Sequence, residues 1–170
     1  MQVVVPFDPR RPKTRLASAV RWATPASVAR RRSRSVKPDA NEGACVKRII
    51  STEDAPAAVG AYSQATTNDD LVFTAGQIPF TPEGESLADE PIATQTERAL
   101  ANVKAVLAEA GLDMGDVLKT TILLDDIDDF DEMNETYSEF FDDEPPARSA
   151  FGVANLPKGV GVEIEAIATQ

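Results

Sequence analysis

Three observations predict an α+β domain over residues 46–170: a break in charge near residue 45, two segments with helical apolar spacing, and short β-branched segments around them. The chain has 170 residues, which suits one domain with an ordinary core. Residues 1–45 carry ten Lys or Arg against three acids, whereas residues 46–170 carry seven against twenty-five. The two parts therefore need separate readings.

Segment 1–45 is rich in Arg, Pro, Ser and Ala, with RRRSRS at Arg30 to Ser35 and no sustained periodicity. It reads as a disordered basic extension. The expectation is a misassigned start with Val46 as the true initiator, read from a GTG codon. An organellar transit peptide and a basic arm that binds nucleic acid or the acidic part are the competing readings.

Within residues 46–170, Lys47 to Ser51 reads as a strand and DAPAAVGAYSQ as a turn-rich stretch. Leu71 to Ala75 is a compact apolar strand ending at Gly76, and PFTPEGE is a loop or hairpin turn. Leu100, Val103, Leu107 and Ala110 keep helical spacing, with Thr94-x-x-Glu97 as a capping box and Gly111 as the stop. Val117 to Leu124 is the next strand. A second helix starts near Asp126 or Asp128 and buries Phe130, Met133, Tyr137 and Phe140. Ala147 to Val153 and Val160 to Ala168 complete the order β, β, α, β, α, β, β, with two helices covering one face of a sheet. The other face would be apolar and bare, which favours self-association.

Composition narrows the chemistry. There is no histidine and one cysteine, Cys45, so a Ser-His-Asp triad, a Cys-His pair, an imidazole metal site and an internal disulfide are all excluded. No apolar run approaches the roughly 20 residues of a membrane span, and a reducing cytoplasmic setting is expected. The acidic part repels nucleic-acid phosphates.

Arg148 stands in the otherwise uncharged stretch PPARSAFGVANLP and shares a strand face with Ala150 and Gly152. Small neighbours leave room for a carboxylate in the planar guanidinium fork; an interface ion pair is the plain alternative. Glu163 lies opposite the apolar face of VEIEAIA, where a carboxylate beside Arg148 could position water, or simply face solvent like Glu165. Asn134 falls on the apolar stripe of the second helix, as a loop anchor or a ligand contact. Tyr62 could close a pocket or cover core, and Gly76 could allow close backbone approach or form a bulge.

In order along the chain, APAAVGAYSQA, TAGQIPF, QTERALANVKAVLAEAG, VLKTTILLDDIDDFDEMNETYSEFF and PPARSAFGVANLPKGVGVEIEAIA resemble the RidA/YjgF family of reactive-intermediate deaminases across Lys47 to Gln170. The resemblance implies a chorismate-mutase-like fold and a homotrimer whose sheets form a central barrel, with active sites between subunits. It implies that Arg148 grips the substrate carboxylate and Glu163 orients the hydrolytic water. Tyr62 and Asn134 would line the cleft, and backbone amides at Gly76 and Ala150 would meet the carboxylate. The implied reaction hydrolyses 2-enamine and 2-imine acids, such as 2-aminoacrylate and 2-aminocrotonate, to 2-oxoacids and ammonia, with no metal or cofactor. A non-catalytic binding protein for 2-oxoacids or related small carboxylates is the alternative. Two departures stand out: Ala150 where many relatives have cysteine, and Ala61 where a proline is frequent. The basic extension has no family counterpart.

Overall fold

The computed structural model describes residues 46–141 and 144–170, so the expectations for residues 1–45 lie outside the described residues. The elements are β1 (Arg48–Ile50), β2 (Ala65–Thr67), β3 (Leu71–Thr74), α1 (Ile92–Glu109), β4 (Val117–Leu124), α2 (Phe130–Ser138), β5 (Ala147–Gly152) and β6 (Val162–Thr169). They form one mixed sheet in the order β1-β2-β3-β6-β4-β5. Only the β4–β5 pair is parallel, as its connection through α2 requires; the other pairs are antiparallel.

The α+β expectation with two helices holds. The sheet has one more strand than the sequence suggested, because Ala65-Thr66-Thr67 is too short to show alternation and is recognisable only by its pairing with β1 and β3.

Side chains alternate across the sheet, and the register assigns each to a face. One face turns Val72, Thr120, Ile122, Leu124, Val162, Ile164, Ala166 and Ala168 toward the helices. There they meet Leu100, Val103, Val106 and Leu107 of α1 and Met133 of α2 in a single buried core. The opposite face presents Ile49, Phe73, Leu123, Phe151 and Ile167. Of these, Ile49, Phe73 and Phe151 are 67%, 43% and 54% exposed, so an apolar band stays open in the single chain.

Helix α1 starts two residues before the predicted capping box. Its N-cap is Pro91 with no side-chain cap, and Thr94 and Glu97 lie inside the helix. Proline suits a helix start because its φ is fixed and its missing N–H would have no partner there. Starting early also buries Ile92 against the backbone at Gly161. The C-terminal stop falls where expected. Gly111 adopts φ +79°, its N–H donates to Ala108 O, and Leu112 N–H donates to Leu107 O. A 3-10 turn at Ile127–Asp129, capped by the Asp126 carboxylate on Asp128 N–H, leads into α2.

A Cβ at Gly111 would meet nothing within 4 Å, so only the left-handed backbone opposes a side chain there. Gly111→Ala should lower stability by about 1 kcal/mol, read as a lower urea midpoint with an unchanged m value.

Candidate active site

Arg148 lies on the edge strand β5, on the face that carries the helices. Its register neighbour on β4 is Thr120, and Thr120 in turn faces Ala166 of β6. The side chain is half-buried and runs under α2. Its guanidinium carbon sits 4.6 Å from the centre of the Tyr137 ring and 5.5 Å from that of Phe130. Phe130, Asn134 and Tyr137 follow one another at four and three residues, so α2 turns all three along one stripe. The guanidinium thus lies over both rings, and a guanidinium held by its face keeps its in-plane N–H donors for an acceptor. Among the described residues, no carboxylate pairs with Arg148.

Tyr137 is itself held firmly. Its hydroxyl and that of Thr120 share a buried hydrogen bond of 2.8 Å, and its ring lies 4.7 Å from that of Phe141. Burial pushes its pKa up, and the Thr120 hydrogen bond and the Arg148 charge partly offset this, so the phenol stays neutral at ordinary pH. Ala150 sits two residues along β5 from Arg148, on the same face, paired with Ile122.

Glu163 belongs to a second cluster. Its register row is Glu163–Leu123–Phe151, on the open face of the sheet. Its carboxylate packs directly on Gly76: a Cβ built there would overlap the acid group, so this approach requires glycine. Gln77 fixes the approach by exchanging backbone hydrogen bonds with Ile164, at 2.8 and 3.0 Å. Helix α1 braces both strands of this cluster. Gln95 accepts from Gly161 N–H at 2.7 Å just before β6, and Asn102 donates to the carbonyls of Ile78 and Phe80 just after Gly76.

Tyr62 is 55% exposed, and its hydroxyl accepts from Val59 N–H at 3.3 Å within its own loop. The base of that loop is pinned by Gln64. The Gln64 amide donates to the carbonyls of Thr52, Ala55 and Pro56 and accepts from Thr52 N–H.

The predicted residues thus form two groups. Arg148, Ala150 and Asn134 lie with the helices, and Glu163 and Gly76 lie on the open face. The carboxylate expected beside Arg148 is not there within one chain. The reason is the period of two along a strand: Arg148 aligns with Ala166 and Phe151 with Glu163, an odd offset that sends the two side chains to opposite faces. From sequence alone Phe130 and Tyr137 read only as core, and nothing singles out Thr120, Gln95 or Asn102, except that the polar pair Gln95 and Asn102 lies seven apart on the buried side of a helix.

Fold and clusters together define a small α+β protein with a guanidinium held over two rings, paired with no acid among the described residues, and a half-buried carboxylate on the other side of its sheet. The profile of the family described as Endoribonuclease L-PSP matches residues 52–170. A 2-iminobutanoate/2-iminopropanoate deaminase of Rattus norvegicus is 46% identical over 125 residues, covering 74% of this chain and 91% of that protein. The crystal structure of Escherichia coli TdcF with bound serine superposes with a TM-score of 0.69 at 46% identity, covering 72% of this chain and 98% of that one. The E. coli yjgF gene product gives the same TM-score, identity and coverage. This chain belongs to the RidA/YjgF family.

Glu163 has a pKa raised from the ordinary 4.5, first by burial and second by Glu165. Below the unfolded pKa both states hold the proton and nothing is lost; as pH rises through the folded pKa, ionisation weakens the fold. Within one chain, Glu163→Gln should therefore raise the melting temperature near pH 7.5 and leave it unchanged near about pH 3; scanning calorimetry at the two pH values checks this, and a lowered melting temperature near pH 7.5 would show a cation from another chain beside the carboxylate.

Proposed function

We propose that this protein is a cytoplasmic enamine/imine deaminase that hydrolyses 2-imino acids to 2-oxoacids and ammonia. The observation that carries this reading is Arg148, whose guanidinium is half-buried and stacked on two rings, with no acid partner among the described residues. Such a group is preorganised for a small carboxylate, with charge-assisted hydrogen bonds of about 1.5–3 kcal/mol each. The deaminase name of the rat relative and the serine bound to TdcF, an amino acid with its own carboxylate, support the same substrate class.

In the proposed reaction, an enamine such as 2-aminoacrylate first takes a proton at C3 to become its imine. Arg148 holds the carboxylate, with the backbone N–H groups of Gly76 and Ala150 completing the clamp. Asn134 and Tyr62 line the cleft. The Glu163 carboxylate accepts a proton from water while the oxygen adds to C2 of the C=N bond. Return of that proton to nitrogen completes the carbinolamine; transfer of its hydroxyl proton to nitrogen, again by way of the Glu163 carboxylate, then breaks the C–N bond, releasing ammonia and leaving the 2-oxoacid.

Arg148 and Glu163 emerge on opposite faces of one sheet, so this chemistry needs groups from two chains. We propose a homotrimer in which open sheet faces pack together and each cleft takes Arg148 from one subunit and Glu163 from the next. The exposed band of Ile49, Phe73 and Phe151 supports this arrangement. The description Endoribonuclease points toward RNA, but the excess of acids in residues 46–170 opposes phosphate binding.

Coupled to a threonine or serine dehydratase, the wild-type protein should accelerate 2-oxoacid release and Arg148→Ala should not. Equal rates for wild type, Arg148→Ala and no added protein would end the enzyme reading; tight 2-oxoacid binding without turnover would replace it with a binding protein. Refolding Arg148→Ala together with Glu163→Gln in equal amounts should restore about one quarter of wild-type activity, because random mixing leaves that share of clefts with both groups intact. No recovery would place both groups in one chain's site.

A further inference from the structure

We propose that Thr120 and Tyr137 are positioning residues that set the orientation of the Arg148 fork through a closed loop of contacts; this rests on the reading of Arg148 as the carboxylate clamp. Three links make the loop. Backbone register fixes Arg148 beside Thr120. The Thr120 hydroxyl meets the Tyr137 hydroxyl at 2.8 Å in a fully buried setting. The Tyr137 ring then carries the Arg148 guanidinium at 4.6 Å. Each link joins a different pair of the three residues, so no member can turn without breaking a contact.

The surroundings leave little slack. Thr120 is fully buried and Tyr137 is 4% exposed. Phe141 packs on the Tyr137 ring at 4.7 Å, and Phe130, two turns earlier on α2, takes up a second place beside the guanidinium. A tyrosine whose only task was to fill the core would not need a hydroxyl in that position. Burying one there carries a desolvation cost unless a partner answers it, and Thr120 is the answering group.

The chemistry explains why a ring rather than an acid supports the arginine. A carboxylate would hold the guanidinium by the same N–H edge that a substrate needs. A stacked ring holds it by its face and leaves the edge for the ligand. Orientation fixed in advance lowers the ordering cost of binding, and a carboxylate contact is made in ground state and transition state alike. Loosening the loop should therefore weaken substrate binding more than it slows the chemical step.

The test uses the full-length protein in the dehydratase-coupled assay with 2-aminocrotonate, and calorimetric binding of 2-oxobutanoate as a second readout. Thr120→Val keeps the shape and removes the hydroxyl; Tyr137→Phe keeps the ring and removes its anchor. Each should raise KM and the 2-oxobutanoate Kd about five- to tenfold with kcat within about twofold of wild type. The double variant should resemble either single one, because both break the same link. Thr120→Ser should restore wild-type KM. Wild-type KM and Kd in Thr120→Val and Tyr137→Phe, alongside loss of binding in Arg148→Ala, would overturn the positioning role and leave the clamp standing. Wild-type behaviour of Arg148→Ala would remove the clamp itself. Should Tyr137→Phe fail to fold, the contrast between Thr120→Val and Thr120→Ser decides the question alone: a KM that is the same in both overturns the proposal.

Discussion

The register of β4 against its two neighbours is the constraint on which the rest of the structure depends. Thr120 aligns with Arg148 on one side and Ala166 on the other; Leu123 aligns with Phe151 and Glu163. A slip of one residue between β4 and β5 would turn Arg148 out onto the open face and away from the α2 rings. The core residues Ile122 and Leu124 hold the register of β4 on β6, because a one-residue slip of that pair would turn both out of the core. Hydrophobic burial thus fixes the strand against which the guanidinium's own strand registers.

Helix α1 does a different kind of work. Most of its inward residues are apolar, yet Gln95 and Asn102 are buried among them and use their amides on loop backbone. Gln95 ties together the carbonyl of Glu90 and the N–H of Gly161; Asn102 gathers the carbonyls of Ile78 and Phe80. Each such bond to partly buried loop backbone contributes about 0.5–1.5 kcal/mol. The two segments so restrained are the ones that bring Gly76 against the Glu163 carboxylate. That contact leaves the acid partly out of water, which is what lifts its pKa.

The two clusters are made differently, and this bears on how the proposed reaction divides its labour. The arginine is oriented by aromatic faces and has no acid beside it among the described residues. The glutamate is set against a bare backbone and made more basic by burial and by Glu165. Opposite charges on opposite sides of one sheet do not neutralise each other within a chain. In the proposed trimer they would meet across a subunit boundary, where the apolar band of the open face supplies the driving force for association.

Much of this was legible in the residues themselves. Alternation in VEIEAIA and in ARSAFG placed Glu163 away from the core and Arg148 with Ala150 and Gly152, because a strand's period of two is local geometry. Helical spacing found both helices, and Gly111 marked the end of the first. The family and its implied reaction were also readable, in the ordered run of motifs ending in PPARSAFGVANLPKGVGVEIEAIA. Three things were decided only by tertiary structure. Strand β2 exists through pairing rather than through its own three residues. The start of α1 was set by Pro91 and the burial of Ile92, not by the local signal at Thr94. The separation of Arg148 from Glu163, and the stacking of Arg148 on Tyr137 above Thr120, depend on how β5 and β6 each register on β4. Register is a relation between segments distant in sequence, so alternation within one strand says which residues share a face but not which face of the sheet that becomes.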